Sequence, residues 1–139
     1  MEFNNPGILF LAPFPNRENI RDGMVSRVQS IDNLVSEKNR AYLYVSLRRN
    51  RKKSILDFPG VRVYNLNVVL HLLLIIKVLK SYRVFYIHSL HMAKHIFFLL
   101  PFLHPGKIIL DAHGIVPEEE RYFRNNRLLV ILYQMVEAI

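Results

Sequence analysis

Residues 107–120, KIILDAHGIVPEEE, decide the fold class that we expect for this chain. The apolar run at 108–110 predicts a buried strand, and Asp111 and His113 follow at its end. In open α/β sheets, ligands collect at the carboxyl ends of the strands. We therefore expect Asp111 and His113 to belong to a functional site, and we predict that both are catalytic.

The residues that follow this strand in the sequence predict a turn and then a helix. Gly114 allows a backbone turn that a residue with a Cβ would resist. Pro117 suits the first position of a helix, where its missing N–H would be unpaired anyway. The glutamates at 118–120 complement the positive end of the helix dipole. This stretch therefore has the layout of a strand that delivers polar groups to the start of a helix.

Four earlier segments have the composition of strands, namely residues 8–12, 41–46, 61–64 and 84–87. Helical patterns separate them: the apolar stripe at 25–35, the run 68–80 with Asn67 as its expected N-cap, and the segment 92–103. Strands that alternate with helices of this length predict right-handed crossovers. We expect an α/β, Rossmann-like fold, with a parallel sheet of five strands in the order 3-2-1-4-5 and helices on both faces.

The length of the chain, 139 residues, predicts a single domain. An apolar helical pattern begins at Leu128 and continues to Ile139 without a capping signal. We expect residues 1–139 to form one domain that is incomplete at its C-terminus. The apolar face left uncovered predicts self-association or a partner chain.

Composition narrows the class of partner and the compartment. The chain has 19 Lys and Arg against 11 Asp and Glu, a net charge of 19 − 11 = +8, which favours an anionic partner. It has no cysteine, which excludes disulfides and thiolate metal sites and is compatible with a reducing cytoplasm. The N-terminus lacks a basic n-region, and no apolar stretch reaches the ~20 residues that cross a bilayer. We expect a cytoplasmic protein, or one peripheral at the inner face of the membrane.

Two groups of residues are candidate ligand sites. The loop that contains Gly23 could present backbone N–H groups to a phosphate at a helix N-terminus, although a lone glycine there is mostly just a turn. The glycine-rich fingerprints for dinucleotides and nucleoside triphosphates are absent. His88, His91 and His95 have a spacing that could hold a metal, but no cysteine and no nearby acid supports them. We predict neither a metal nor another cofactor.

His113 is a stronger candidate for a site residue than these histidines, because it follows Asp111 and precedes Gly114 at a predicted strand end. An imidazole there could hydrogen-bond a sugar hydroxyl or transfer a proton. The alternative is a histidine that only satisfies a buried backbone group.

A basic run lies between the second and third predicted strands. It places five cations in six positions: Arg48, Arg49, Arg51, Lys52 and Lys53. Such a run is often only a solvated loop, and the absence of interleaved aromatic residues argues against single-stranded nucleic acid. Because the apolar helix 68–80 is expected nearby, we predict that these residues bind an anionic membrane surface. The alternative is that 68–80 is simply a core helix.

Taken together, these segments resemble the N-terminal half of a GT-B glycosyltransferase, close to the family 4 retaining enzymes. The stretch ILFLAPFP at 8–15 with DGMVSRV at 22–28 is similar to the first strand, glycine loop and helix of that family. The stretch YIHSLHMAK at 86–94 is similar to its fourth strand and the loop after it, and ILDAHGIVPEEE at 109–120 is similar to its Asp-x-His-Gly segment.

The resemblance implies roles for individual residues. Gly23 would approach the donor diphosphate, Arg27 would support that loop or the phosphate, and Gly114 would belong to the substrate-binding segment. His88 would lie on the acceptor side, and His113 near the transferred sugar. Asp22 departs from the family pattern, because a second glycine is common in its place.

The resemblance also implies a function: the acceptor-side part of an enzyme of polysaccharide biosynthesis that transfers a hexose from a nucleotide sugar to a lipid-linked or polysaccharide acceptor. In that family a C-terminal domain supplies most contacts with the nucleotide sugar, so this chain alone is expected to be inactive. The alternative is a non-catalytic Rossmann-like module that anchors a partner at the membrane.

Overall fold

A computed structural model of the chain describes residues 7–88, 94–96, 98–99 and 107–111. Within them the elements follow in this order: β1 Ile8–Leu11, α1 Gly23–Leu34, β2 Arg40–Ser46, β3 Ser54–Phe58, β4 Val61–Asn67, α2 Leu72–Lys80, β5 Val84–Ile87 and β6 Lys107–Leu110. The α/β class expected from the sequence is confirmed.

The sheet is mostly parallel, with the strand order β3-β4-β2-β1-β5-β6. The five strands expected from the sequence are β1, β2, β4, β5 and β6, and every pair that they form with one another is parallel. Their expected order is therefore confirmed. The prediction of only five strands was wrong, because β3 is a sixth strand that pairs antiparallel with β4 at the edge of the sheet.

This edge hairpin has a local cause. Phe58 pairs with Val61 across the two residues Pro59 and Gly60. A proline followed by a glycine suits a tight turn, and Gly60 has a positive φ of 74°, which glycine adopts without strain. The Pro-Gly pair therefore joins β4 to the strand before it.

The helices pack on opposite faces of the sheet. Val28 and Ile31 of α1 pack against the face that carries Phe10. Ile75 and Leu79 of α2 pack against the other face, in the cluster that contains Leu9, Leu11 and, beyond α2, Ile96. Side chains alternate between the two faces of a strand, which is why neighbouring residues of β1 enter different cores.

Two expectations about these elements differ from the structure. Helix α2 begins at Leu72, and Asn67 is the last residue of β4; its side chain caps the turn at 68–71 instead. The prediction of a buried strand at 108–110 was wrong, because β6 is the outer strand of the described sheet and Ile108, Ile109 and Leu110 are all exposed. Most of the helix predicted at 92–103 and all of the apolar pattern from 128 onward lie outside the described residues.

Candidate functional site

The candidate site lies where β1, β5 and β6 end. From β1 the chain passes through α1 to β2 on one side, whereas β5 and β6 lie on the other side of β1. The strand order therefore reverses between β1 and β5. Ligands of open α/β sheets bind in the crevice at such a switch point, outside the carboxyl ends of the strands.

Asp111 follows β6 and is the centre of this site. Its backbone N–H donates to the carbonyl oxygen of Ile87 over 2.9 Å, which holds it beside the end of β5. Its carboxylate accepts two hydrogen bonds from Arg27 of α1: Nε to Oδ2 at 2.8 Å and Nη2 to Oδ1 at 2.9 Å. The side chain of Asp111 is 10% exposed and that of Arg27 is 55% exposed. The carboxylate is thus inside the site, while the guanidinium reaches its surface.

The hydrogen bonds and charge of Asp111 raise the pKa of Arg27. A guanidinium has five N–H donors in a planar fork, and Asp111 accepts from two of its nitrogens. The pair therefore fixes the plane of the guanidinium and leaves further N–H donors on an exposed group. Such a group can bind a phosphate or another anion.

Tyr86 also donates its hydroxyl to Oδ2 of Asp111. Burial, and then the hydrogen bond and charge of Asp111, raise the pKa of Tyr86, so this hydroxyl stays protonated and acts as a donor. The sequence predicts an apolar strand at 84–87, and its pattern does not mark Tyr86 as a site residue. The pairing of Tyr86 with Ile109 would have revealed it, because Asp111 lies two residues farther along β6 and so points to the same face.

His88 follows β5 and is buried beside the same carboxylate. Its Nδ1 lies 3.9 Å from Oδ2 of Asp111, and its backbone N–H donates to the carbonyl oxygen of Leu11 over 3.4 Å. The imidazole stacks on the ring of Tyr86 with the centroids 6.4 Å apart. His88 thus joins the ends of β1, β5 and β6.

Gly23 begins α1, at the same edge of the sheet. A Cβ built on Gly23 would meet no atom within 4 Å, so there is open space in front of this residue. Arg27 lies four residues farther along α1, on the same face of the helix as Gly23. The open space and the exposed guanidinium therefore lie along one side of α1.

Asp22 is the N-cap of α1 and changes what this helix start can bind. Its Oδ1 accepts a hydrogen bond of 2.8 Å from the backbone N–H of Met24. One of the N–H groups that an anion would use at this helix N-terminus is therefore occupied, and a negative charge lies next to it. For an anionic ligand, Arg27 is the stronger point of attachment.

His113 and Gly114 lie outside the described residues, and their proposed roles stay predictions. The fold brings together Arg27, His88 and Asp111, three predicted site residues from distant segments of the sequence. A carboxylate that accepts from both Arg27 and Tyr86 is suited to orienting its neighbours. The prediction that Asp111 is catalytic is not tested by this geometry.

The basic run Arg48, Arg49, Arg51, Lys52 and Lys53 lies away from this cluster, in the connection between β2 and β3. Its five side chains are exposed. Because Ser46 pairs in parallel with Asn67, the run leaves β2 at the same carboxyl edge from which the chain leaves β4 for α2. The expectation that the basic loop and the start of the apolar helix lie together is therefore confirmed.

A second polar cluster lies beneath α1 and has a structural character. Arg40 at the start of β2 approaches Asp32 of α1, with Nη1 at 3.4 Å from Oδ2. Burial raises the pKa of Asp32, and the charge of Arg40 opposes this effect. Burial and Asp32 also raise the pKa of Tyr42. This cluster lies near the amino end of β2, away from the carboxyl edge that holds Asp111.

Within the part of the chain that the structure describes, no group of three or more His, Cys, Asp or Glu side chains could hold a metal ion. In the same residues, no helix has the length and hydropathy needed to cross a bilayer. Comparison of the chain with protein-family models, curated proteins and solved structures yields no match.

Proposed function

We propose that this chain forms the acceptor-side domain of a GT-B-type sugar transferase, which transfers a hexose from a nucleotide sugar to a lipid-linked or polysaccharide acceptor in the cytoplasm. The observation that supports the proposal is the cluster of Arg27, Tyr86, His88 and Asp111 at the switch point of a parallel sheet. The resemblance in sequence described above supplies the class of reaction.

In this proposal Arg27 binds the diphosphate of the donor. Asp111 holds two nitrogens of the guanidinium, so the plane of this exposed group is already fixed when the ligand arrives. Preorganisation of this kind lowers the entropic cost of binding. The role suits Arg better than Lys, because only the planar fork can bind a carboxylate and a phosphate at the same time.

Asp111 acts in the proposal as a positioning residue for Arg27 and His88. His88 lies on the acceptor side, and His113, two residues beyond Asp111 in sequence, contacts the transferred sugar. A second domain that binds the nucleotide sugar is needed for transfer, so the chain on its own has no transfer activity.

In this proposal the complete protein also holds a domain that binds the nucleotide sugar, and the experiment compares that protein with the chain alone. Radiolabelled nucleotide sugars are offered with lipid extracts of the producing cells, and label transferred to the lipid fraction is measured. We expect transfer by the complete protein, none by the chain alone, and the loss of most transfer on His113→Ala or Asp111→Asn. Arg27→Lys should mainly raise KM for the nucleotide sugar, because it weakens binding of the diphosphate.

The matched control is Asp57→Asn, which removes the carboxylate of another aspartate–arginine pair. Asp57 pairs with Arg62 in the edge hairpin, far from the candidate site. This variant should retain full transfer. Full activity of both His113→Ala and Asp111→Asn in the complete protein would reject the proposed site.

The second candidate function is a non-catalytic module that anchors a partner at the membrane. The exposed basic run beside the start of α2 favours it. The DNA downstream of the Ile139 codon discriminates between the two. A nucleotide-sugar domain encoded there supports the transferase, and an unrelated sequence or a stop codon supports the anchoring module.

A further inference from the structure

One surface of the described chain combines exposed aliphatic side chains with a high density of cations. We call it the carboxyl-edge surface and define it as the loop 47–53 together with the turn and first helical residues at 69–73. Its aliphatic members are Leu47, Val69, Leu70 and Leu73, all of which are exposed. Leu73 is 84% exposed, although the helix that carries it buries Ile75, Val78 and Leu79 on its other side.

Asn67 connects the loop and the turn of this surface through hydrogen bonds of its side chain. Its buried side-chain amide donates to the carbonyl oxygens of Leu47 at 2.9 Å and Arg49 at 3.0 Å. Its Oδ1 accepts from the backbone N–H groups of Val69 at 3.0 Å and Leu70 at 3.1 Å. The loop and the turn are thus held side by side by one side chain, so the aliphatic and cationic groups form one continuous surface.

The charge of the surface has one sign. The loop contributes the five cations of the basic run, and neither 47–53 nor 67–73 contains an Asp or Glu. The whole chain carries a net charge of +8, so the surface adds to a field that attracts anions. Exposed aliphatic groups next to unopposed cations complement a surface that is anionic outside and apolar beneath.

We propose that the carboxyl-edge surface binds an anionic lipid bilayer. The cations of the loop attract the headgroups, and Leu70 and Leu73 insert among the acyl chains near the headgroup boundary. Nucleic acid is the less suitable partner. Bases are bound by stacking on aromatic side chains, and the surface has none among Phe, Tyr and Trp.

The location of this surface has a consequence for the candidate site. Both lie at the carboxyl edge of the sheet, and four strand spacings separate β4 from β6. At about 4.8 Å for each spacing, the turn after β4 lies roughly 20 Å from the end of β6. A chain bound through this surface would hold the Asp111 cluster close to the bilayer, within reach of a lipid-linked ligand. The membrane proposal itself does not depend on sugar transfer, since binding is measured on the chain alone.

The test measures co-sedimentation of the chain with vesicles of phosphatidylcholine alone and with vesicles of equal parts phosphatidylcholine and phosphatidylglycerol. We expect binding only to the anionic vesicles. Replacement of Arg51, Lys52 and Lys53 by Gln should weaken partitioning roughly a hundredfold at low salt, since each cation near the surface contributes about fivefold. Leu73→Gln should leave the electrostatic binding at low salt intact. It should remove the binding that persists at about 1 M NaCl, where charges are screened.

Matched control variants test whether the position of the charged and aliphatic side chains matters, and not only their number. The triple variant Lys38→Gln, Arg83→Gln and Lys107→Gln removes the same charge from exposed residues at the opposite edge and should bind as the parent does. Leu34→Gln changes a leucine that is 81% exposed at the end of α1, also at the opposite edge, and should likewise have no effect.

Three results would overturn the proposal. They are equal recovery with neutral and anionic vesicles, equal weakening by the two triple variants, and a single-stranded RNA that binds the chain more tightly than anionic vesicles do. Circular dichroism of each variant establishes that the fold is retained, which the exposed positions of all these side chains favour.

Discussion

Arg27 and Asp111 are 84 residues apart in the chain and are joined by two hydrogen bonds, from Nε to Oδ2 at 2.8 Å and from Nη2 to Oδ1 at 2.9 Å. The pair connects the first helix to the end of the last described strand, across the carboxyl ends of β1 and β5. It therefore has two consequences: it fixes the guanidinium in the candidate site, and it couples α1 to β6.

We expect Arg27→Gln and Asp111→Ala to be non-additive in the free energy of unfolding. Each change breaks the same pair, so the double variant should lose less stability than the sum of the single losses. Urea unfolding of the four proteins measures this coupling. Arg27→Gln combined with Asp57→Ala is the control cycle, because Asp57 pairs with Arg62 in the edge hairpin and the two losses should therefore add. Strictly additive losses for Arg27 and Asp111 would show that the pair does not persist in solution.

Tyr86→Phe should lower the free energy of unfolding by about 1 kcal/mol at neutral pH, because it removes a hydrogen bond to Asp111 without opening a cavity. The folded state raises the pKa of Tyr86 above its ordinary value of 10.0, so the hydroxyl contributes stability below about pH 10 and loses it as the pH rises further. The difference in the free energy of unfolding between the parent and Tyr86→Phe should therefore decrease above that pH. Tyr44→Phe, on β2, is the control, and a difference that stays constant into alkali would contradict the prediction.

Asp32 should make the chain less stable as the pH rises from below 3.8 through the raised pKa of the folded state. Burial raises its pKa in the folded state, so the folded carboxyl holds its proton more strongly than the unfolded one does. The stabilising contribution is complete below the ordinary pKa of 3.8 and is lost as the pH rises through the folded value. Relative to the parent, Asp32→Asn should thus gain stability over this range, as measured by urea unfolding at each pH. A difference in stability between Asp32→Asn and the parent that stays constant over this range would refute the assignment.

Asn67→Ala should destabilise the chain by about 2 to 3 kcal/mol, because four backbone groups lose the partner that the side chain provides. The loop that holds the basic run should also become more mobile, so trypsin should cleave within 48–53 faster than in the parent at equal fraction folded. Asn65→Ala on the same strand is the control. An unchanged cleavage rate would mean that the loop is held by something other than Asn67.

The sequence by itself determined the α/β class, the order of the five parallel strands and the two-sided packing of the helices. These follow from local patterns: apolar runs of strand length, helical stripes between them, and the right-handed crossover that such alternation imposes. The ends of the strands were also predictable from the local sequence, which is why His88 and Asp111 could be predicted as site residues. The Pro59–Gly60 turn was also visible in the sequence, although the strand before it was missed.

Only the tertiary structure decided which side chains meet. Tyr86 joins the site because β5 and β6 pair in a register that sets it opposite Ile109, and the composition of a strand carries no information about register. The bond between Arg27 and Asp111 depends on a helix and a strand that are distant in the chain, and side-chain contacts of this kind arise only when the sheet is assembled. The same holds for Asn67, whose amide reaches the loop after β2 because two parallel strands end side by side.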